Sequence, residues 1–392
     1  MIESWRWYGP LDTITLPEVA QTRANGIVTA LHEIPYGEVW TVDDIRARQT
    51  LIRERPDLGL NWIVTESLPV HEDIKRGSND LARLFGNYRQ SLRNLAECGV
   101  MTVCYNFMPL LDWTRTRLDA PVLGGGTALR FSAPHMAAFE IHMLERENAT
   151  DDYSPDVCAA GEKWFSSSTQ EDRSTLLASI MAGLPGAYTR YSIEGLQKAL
   201  CEYQGINRAK LRANFARFLA EIIPTADELG IRMCVHPDDP PRNILGLPRV
   251  VSNEEDIAWI LDQHDSLANG LTLCSGSLGA NPANDLPAIA SRFADRIHFA
   301  HLRNVRREPD GSFQEAAHLD GDTDMVALVK VLLDEEARRR VVGRMDANIP
   351  FRPDHGHELL DDFKRQAFPG YHLTGRMCGL AELRGVIAAL CH

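Results

Sequence analysis

A chain of 392 residues has room for one large α/β domain or two ordinary ones. Its hydrophobic share of 44% and charged share of 24% are those of a soluble globular protein, and no apolar run reaches the ~18 residues of a membrane span. A formal net charge of −13 denies it the basic footprint of a nucleic-acid binder, although a metal and a few arginines can reverse the field inside a cleft.

The opening residues, Met1-Ile2-Glu3-Ser4-Trp5-Arg6-Trp7, have neither a basic n-region nor an apolar h-region, so secretion is not expected. Eight scattered cysteines with no Cys-x-x-Cys pair, several inside apolar runs, fit buried thiols in a reducing cytoplasm. Short β-branched or aromatic runs predict strands at 4–8, 27–31, 62–65 and 101–105, then 231–235, 271–273, 297–300 and 341–345. Eight is the number a closed (β/α)8 TIM barrel needs. Helices fill the intervals. Thr41 reads as the cap of one. Residues 80–98 carry Leu81, Leu84, Phe85, Tyr88, Leu92 and Leu95 at helical spacing. Residues 211–229 are similar, with a kink expected at Pro224, and 256–263 and 286–293 are shorter crossovers.

About 125 residues separate the fourth and fifth strands, where a βα unit needs a few dozen. Residues 110–205 therefore read as a helical insertion in a single catalytic domain, 1–392. It lies over the active site or at a subunit contact, and a homodimer is expected. Gly124-Gly125-Gly126 has no preceding strand and no following Gly-Lys-Ser/Thr, so it reads as a turn rather than a phosphate loop.

In a parallel barrel the loops after the strands gather at one end and build one site. His236 follows the fifth predicted strand, Cys274 the sixth and His301 the seventh; Asp346 follows the eighth, with Asp354 a few residues on. Two imidazoles, a thiolate and a carboxylate suit a transition metal. Spacing leaves Asp346 and Asp354 as alternatives for the carboxylate. Taken singly, Cys274 would pass for a buried thiol; only its company makes it a ligand. Period two turns His298 away from His301, which makes His298 structural. Arg303 suits a bidentate grip on a substrate carboxylate, with Asn304 beside it. His355 and Tyr371 near a metal can serve as acid and base. His32, after the second strand, and Asn106, after the fourth, suit sugar hydroxyls, as do Glu66 and Ser67 after the third.

Several stretches resemble the mannonate dehydratases of hexuronate degradation, relatives of the xylose-isomerase-like barrels. They are Trp5-Arg6-Trp7-Tyr8-Gly9-Pro10, Ala30-Leu31-His32-Glu33-Ile34-Pro35, Tyr105-Asn106-Phe107-Met108-Pro109, His236-Pro237-Asp238-Asp239-Pro240-Pro241, Leu273-Cys274-Ser275-Gly276-Ser277, His301-Leu302-Arg303-Asn304, Arg352-Pro353-Asp354-His355-Gly356 and Pro369-Gly370-Tyr371. The resemblance implies a hydro-lyase that converts D-mannonate to 2-dehydro-3-deoxy-D-gluconate in glucuronate catabolism with Mn2+ or Fe2+. It implies His236, Cys274, His301 and Asp354 as ligands, and His355 and Tyr371 in proton transfer. Asp346 is then kept for substrate. The rival expectation is a metal-dependent sugar isomerase or epimerase of the same superfamily, against which the thiolate argues.

Overall fold

The alternation of strand and helix signals closes into a barrel in the computed structural model, which describes residues 1–183 and 191–391. Eight strands run parallel in chain order around it: β1 (Ile2–Arg6), β2 (Gly26–Thr29), β3 (Asn61–Glu66), β4 (Thr102–Tyr105), β7 (Arg232–Val235), β8 (Asn269–Cys274), β9 (Ile297–His301) and β12 (Pro350–Arg352). Helices pack outside. Thr41 caps Val42–Ile52, accepting from the amide of Asp44. Leu81–Glu97 lays Leu84, Phe85, Tyr88, Leu92 and Leu95 into the main core. The helix Arg208–Leu229 continues through Pro224 without ending.

Period two sets the interior in layers. Val28, Val64, Cys104, Cys234 and Phe299 form an apolar plug across the barrel axis. Two residues further along the chain come Glu66, Asn106, His236 and His301. Arg6 stands likewise two beyond Ser4, and Cys274 two beyond Thr272. The plug thus becomes a polar floor at the end where the strands stop.

The eighth strand differs from expectation. Residues 341–345 are the tail of the helix Met325–Val341 and the turn after it, with Gly343 at φ 71°. The apolar side chains among them are exposed, Val341 at 87% and Met345 at 101%. β12 is only three residues, Pro350–Arg352. Asp346 consequently falls at the opposite end of the barrel. Its carboxylate is held by Arg232 at 2.8 Å, on the first residue of β7, and by Arg344 at 2.7 Å. It takes no part in the site, which corrects its assignment to substrate.

The segment after β4 carries helices, including Pro155–Ser167, Gln170–Ile180 and Ile193–Cys201, but also a hairpin. That hairpin is β5 (Arg117–Pro121) and β6 (Thr127–Phe131), joined by a turn with Gly124 and Gly125 at positive φ. It pairs with β10 (Asn304–Arg307) and β11 (Phe313–Ala316), which follow β9, into a four-stranded antiparallel sheet, order β10-β11-β6-β5. Phe131 stacks on Phe313 at 5.5 Å within its core. Through β11 this sheet delivers a side chain to the site.

Candidate active site

His236, Cys274 and His301 converge as their strand ends require: their ligand atoms lie within 4.8 Å of one another. The Nδ1 of His236 is 2.7 Å from the carbonyl oxygen of Pro237. A carbonyl only accepts, so Nδ1 carries a proton. That Nε2 is 3.1 Å from Nδ1 of His301. On its other side His301 turns Nε2 toward Glu66 Oε2 at 3.4 Å. Burial alone would push the Cys274 thiol up, but Arg303 and His236 outweigh it and hold the thiol well below its usual range. Burial likewise works against a charged His236, yet the Cys274 thiolate beside it raises the imidazole to about 10. Two ring nitrogens and a thiolate thus face one another at one point. That donor set fits a divalent transition metal.

Asp354 stands at the edge of this cluster, its Oδ2 3.8 Å from the sulfur. Its backbone sits at φ +56°, an uncommon conformation for a residue with a side chain. Both carboxylate oxygens are engaged, Oδ2 by Arg303 Nε at 2.6 Å and Oδ1 by Arg352. Despite burial, Arg352, His355 and Arg303 hold this carboxyl well below the usual range.

His355 and Tyr371 are brought together. Gly370, at φ +80°, turns the chain so tightly that a Cβ there would stand 3.1 Å from the His355 ring. The Tyr371 hydroxyl then lies 3.3 Å from His355 Nε2. His355 Nδ1 is 2.7 Å from Glu315 Oε1. An ionised carboxylate only accepts, so Nδ1 carries a proton toward Glu315. Glu315 is ionised: burial opposes this, but His355 and Arg303 hold its carboxyl at about 2. Burial raises the Tyr371 phenol to about 12, against the pull of Arg352.

Two expected substrate contacts are placed differently. Arg303 is at the site, but its nitrogens are taken by the protein's own carboxylates. Nη1 is 2.5 Å from Glu315, Nη2 2.5 Å from Asp239 and Nε 2.6 Å from Asp354. It pairs with the site's own acids. Asn304 is buried in β10, its amide nitrogen donating to the carbonyls of His318 and Thr323 at 3.1 and 2.9 Å. It does not reach the cleft. His298 donates to the Leu267 carbonyl at 2.7 Å, away from His301.

The metal-type cluster opens into a cavity of about 410 Å³ lined by His236, Arg303, Arg352, Asp354, His355 and Tyr371, among others. Ser67, Asn106, Met108 and Asp112 also line an outer cavity of about 820 Å³, so the two are continuous. His32 lies in the outer one and Asn106 at the junction.

Glu315, Asp239 and Arg115 were not singled out from the sequence. Arg115 joins the other two, with contacts of 2.7 Å to Asp239 and 2.9 Å to Glu315. The Asp239 residue sits in the His236-Pro237-Asp238-Asp239 stretch and was within reach; Phe313-Gln314-Glu315-Ala316 carries no local signal.

A family model described as D-mannonate dehydratase (UxuA) matches residues 1–392. A mannonate dehydratase of Chromohalobacter salexigens is 53% identical over 391 residues, covering 100% of this chain and 99% of the relative. One of Rhizobium meliloti is 51% identical over 395 residues, covering 100% and 98%. Among solved structures, mannonate dehydratase from Streptococcus suis serotype2 superposes with a TM-score of 0.77 at 34% identity, over 100% of this chain and 93% of that one. A D-tagatose 3-epimerase-like protein, at 11% identity and a TM-score of 0.52 over 100% and 98%, shares the barrel fold.

Proposed function

The chain belongs to the D-mannonate dehydratase family and is a hydro-lyase that dehydrates D-mannonate; from that premise we propose how its own residues carry the reaction. The observation that carries the reading is the convergence of His236, Cys274 and His301 beside the His355–Tyr371 pair. His236, Cys274 and His301, with Asp354 as the fourth ligand, would hold Mn2+ or Fe2+. Such an ion supplies Lewis-acid stabilisation to the charge that grows next to the substrate carboxylate.

The proton steps belong to the protein. Glu315 holds a proton on Nδ1 of His355, and the ring accepts the proton from C2 at Nε2. The Tyr371 phenol, raised to about 12, is a donor at neutral pH and protonates the hydroxyl leaving C3. Across their 3.3 Å contact the imidazolium returns its proton to the phenolate, and one water has been lost. Asp239, Arg115 and Glu315 lock Arg303 behind the acids, and Trp113, edge-on to His355 at 5.8 Å, helps exclude water. His32 and Asn106 face the hydroxyl-bearing remainder of the acid.

The enol left across C2 and C3 gains a proton at C3 as its C2 hydroxyl gives one up, so the product is the 2-keto acid 2-dehydro-3-deoxy-D-gluconate, in hexuronate breakdown. The free cysteines fit a cytoplasmic setting, and among the described residues no helix is long and apolar enough to cross a membrane. A homodimer is the proposed assembly, with the insertion at 110–205 as contact surface. The test is a D-mannonate assay, following the 2-keto acid, on protein stripped with chelator and reloaded. Activity is expected to vanish on stripping and to return with Mn2+ or Fe2+. Full turnover by stripped protein would overturn the metal-assisted reading.

A further inference from the structure

The acid substrate brings a carboxylate into a cleft whose cations are mostly spoken for. Among the described residues that line the two cavities, the cations are Arg6, Lys75, Arg303 and Arg352. Arg303 is held through both terminal nitrogens by Glu315 and Asp239. Arg352 is bidentate to Glu66 at 2.7 and 2.9 Å and also pairs with Asp354. Lys75 is held by Glu72 at 2.6 Å and by the carbonyl of Met108 at 2.7 Å.

Arg6 is different. It ends β1, in the polar floor that also carries Glu66, Cys274 and His301. Its side chain is 1% exposed, yet Nε and Nη1 have no hydrogen-bond partner. Its nearest carboxylate, Glu66, is 3.5 Å away and already bidentate with Arg352. Nη2 lies 3.5 Å from His32 Nε2, and the guanidinium rests over the Tyr8 ring at 4.9 Å. Tyr8 in turn packs edge-on to Tyr371 at 4.9 Å. A buried guanidinium with unsatisfied donors is costly unless a ligand completes it, and a free N–H on a buried cation suits a carboxylate oxygen.

We propose that Arg6, which lines the outer cavity, is the carboxylate-binding residue of this site, receiving C1 of the aldonic acid. The assignment rests on the dehydratase reading. It gives Arg6 the part the sequence suggested for Arg303, and it places the carboxylate within the same floor as His301 and Glu66.

The test compares two competitive inhibitors on metal-loaded enzyme: a 3-deoxyaldonate, which has no hydroxyl to lose from C3, and its neutral carboxamide. Charge-assisted hydrogen bonds set the scale. In Arg6→Met the inhibition constant of the acid should rise about 10- to 100-fold, while that of the amide moves little, so discrimination between them collapses. Arg6→Lys, which keeps a cation of different shape, should recover part of it. Circular dichroism and metal content matching the parent establish that each variant is folded and loaded. If Arg6→Met binds the acid as the parent does, or loses acid and amide in equal measure, the assignment is wrong. A parent enzyme that binds the acid through Arg6 but does not dehydrate D-mannonate would overturn the dehydratase reading alone.

Discussion

The two ends of the barrel collect the same kinds of side chain and leave them in opposite states. At the end where the strands begin, Asp346 is closed by Arg232 and Arg344, and His298 is tied to the Leu267 carbonyl. Arg339 donates to Glu335 at 2.7 Å and to the carbonyls of Ala294 and Ile297. The charges of Asp346 and Arg339 are paired there within the protein. At the other end, two imidazole nitrogens face each other across 3.1 Å beside a thiolate, and Arg6 has donors without acceptors. Burial penalises such groups unless something completes them. Chemistry sits where the fold leaves donors and acceptors mutually unsatisfied but aimed at a common point.

Substitutions can break that contrast, beginning with the largest effect. Cys274→Ala should abolish metal retention and reduce turnover by far more than the ~10- to 100-fold that attends loss of an outer-shell partner; metal analysis with the D-mannonate assay checks it. Tyr371→Phe should keep the metal and lower kcat by about 10²- to 10⁴-fold, the usual yield of acid–base catalysis. The pH profile sharpens this. The donor form of Tyr371 exists below its raised value of about 12, so deprotonation of Tyr371 should not reduce parent activity between pH 7 and 9. An alkaline fall in that window that disappears in Tyr371→Phe would mean that the phenol is not so raised. The smallest effect belongs to the closed end: Asp346→Asn should leave kcat and KM unchanged and cost about 1 kcal/mol or less, since its pairs are partly exposed. Thermal unfolding and the same assay read both.

Much of the catalytic end could be read from the chain because strand ends in a parallel barrel are local signals. An apolar run followed by histidine or cysteine marks His236, Cys274 and His301 without any knowledge of their neighbours. What could not be read is non-local or short. β12 contains a proline and spans three residues, too few to show a period, while the valines at 341 and 342 imitate a strand at a helix end. That misplacement carried Asp346 to the wrong end. Glu315 reaches His355 because β11, paired with β10, also pairs with a strand from residues 117–131. No pattern in four residues foretells that pairing. Arg303 was recognised as present but not as spent, since its partners Asp239, Glu315 and Asp354 come from three separate segments.

The most direct test of the central claim is anomalous diffraction from crystals of the protein loaded with manganese. The account predicts one strong peak bonded to Nε2 of His236, Sγ of Cys274 and Nδ1 of His301, with Asp354 turned from its arginines to join them. A peak elsewhere in the barrel, or none at those three atoms under saturating manganese, would contradict it.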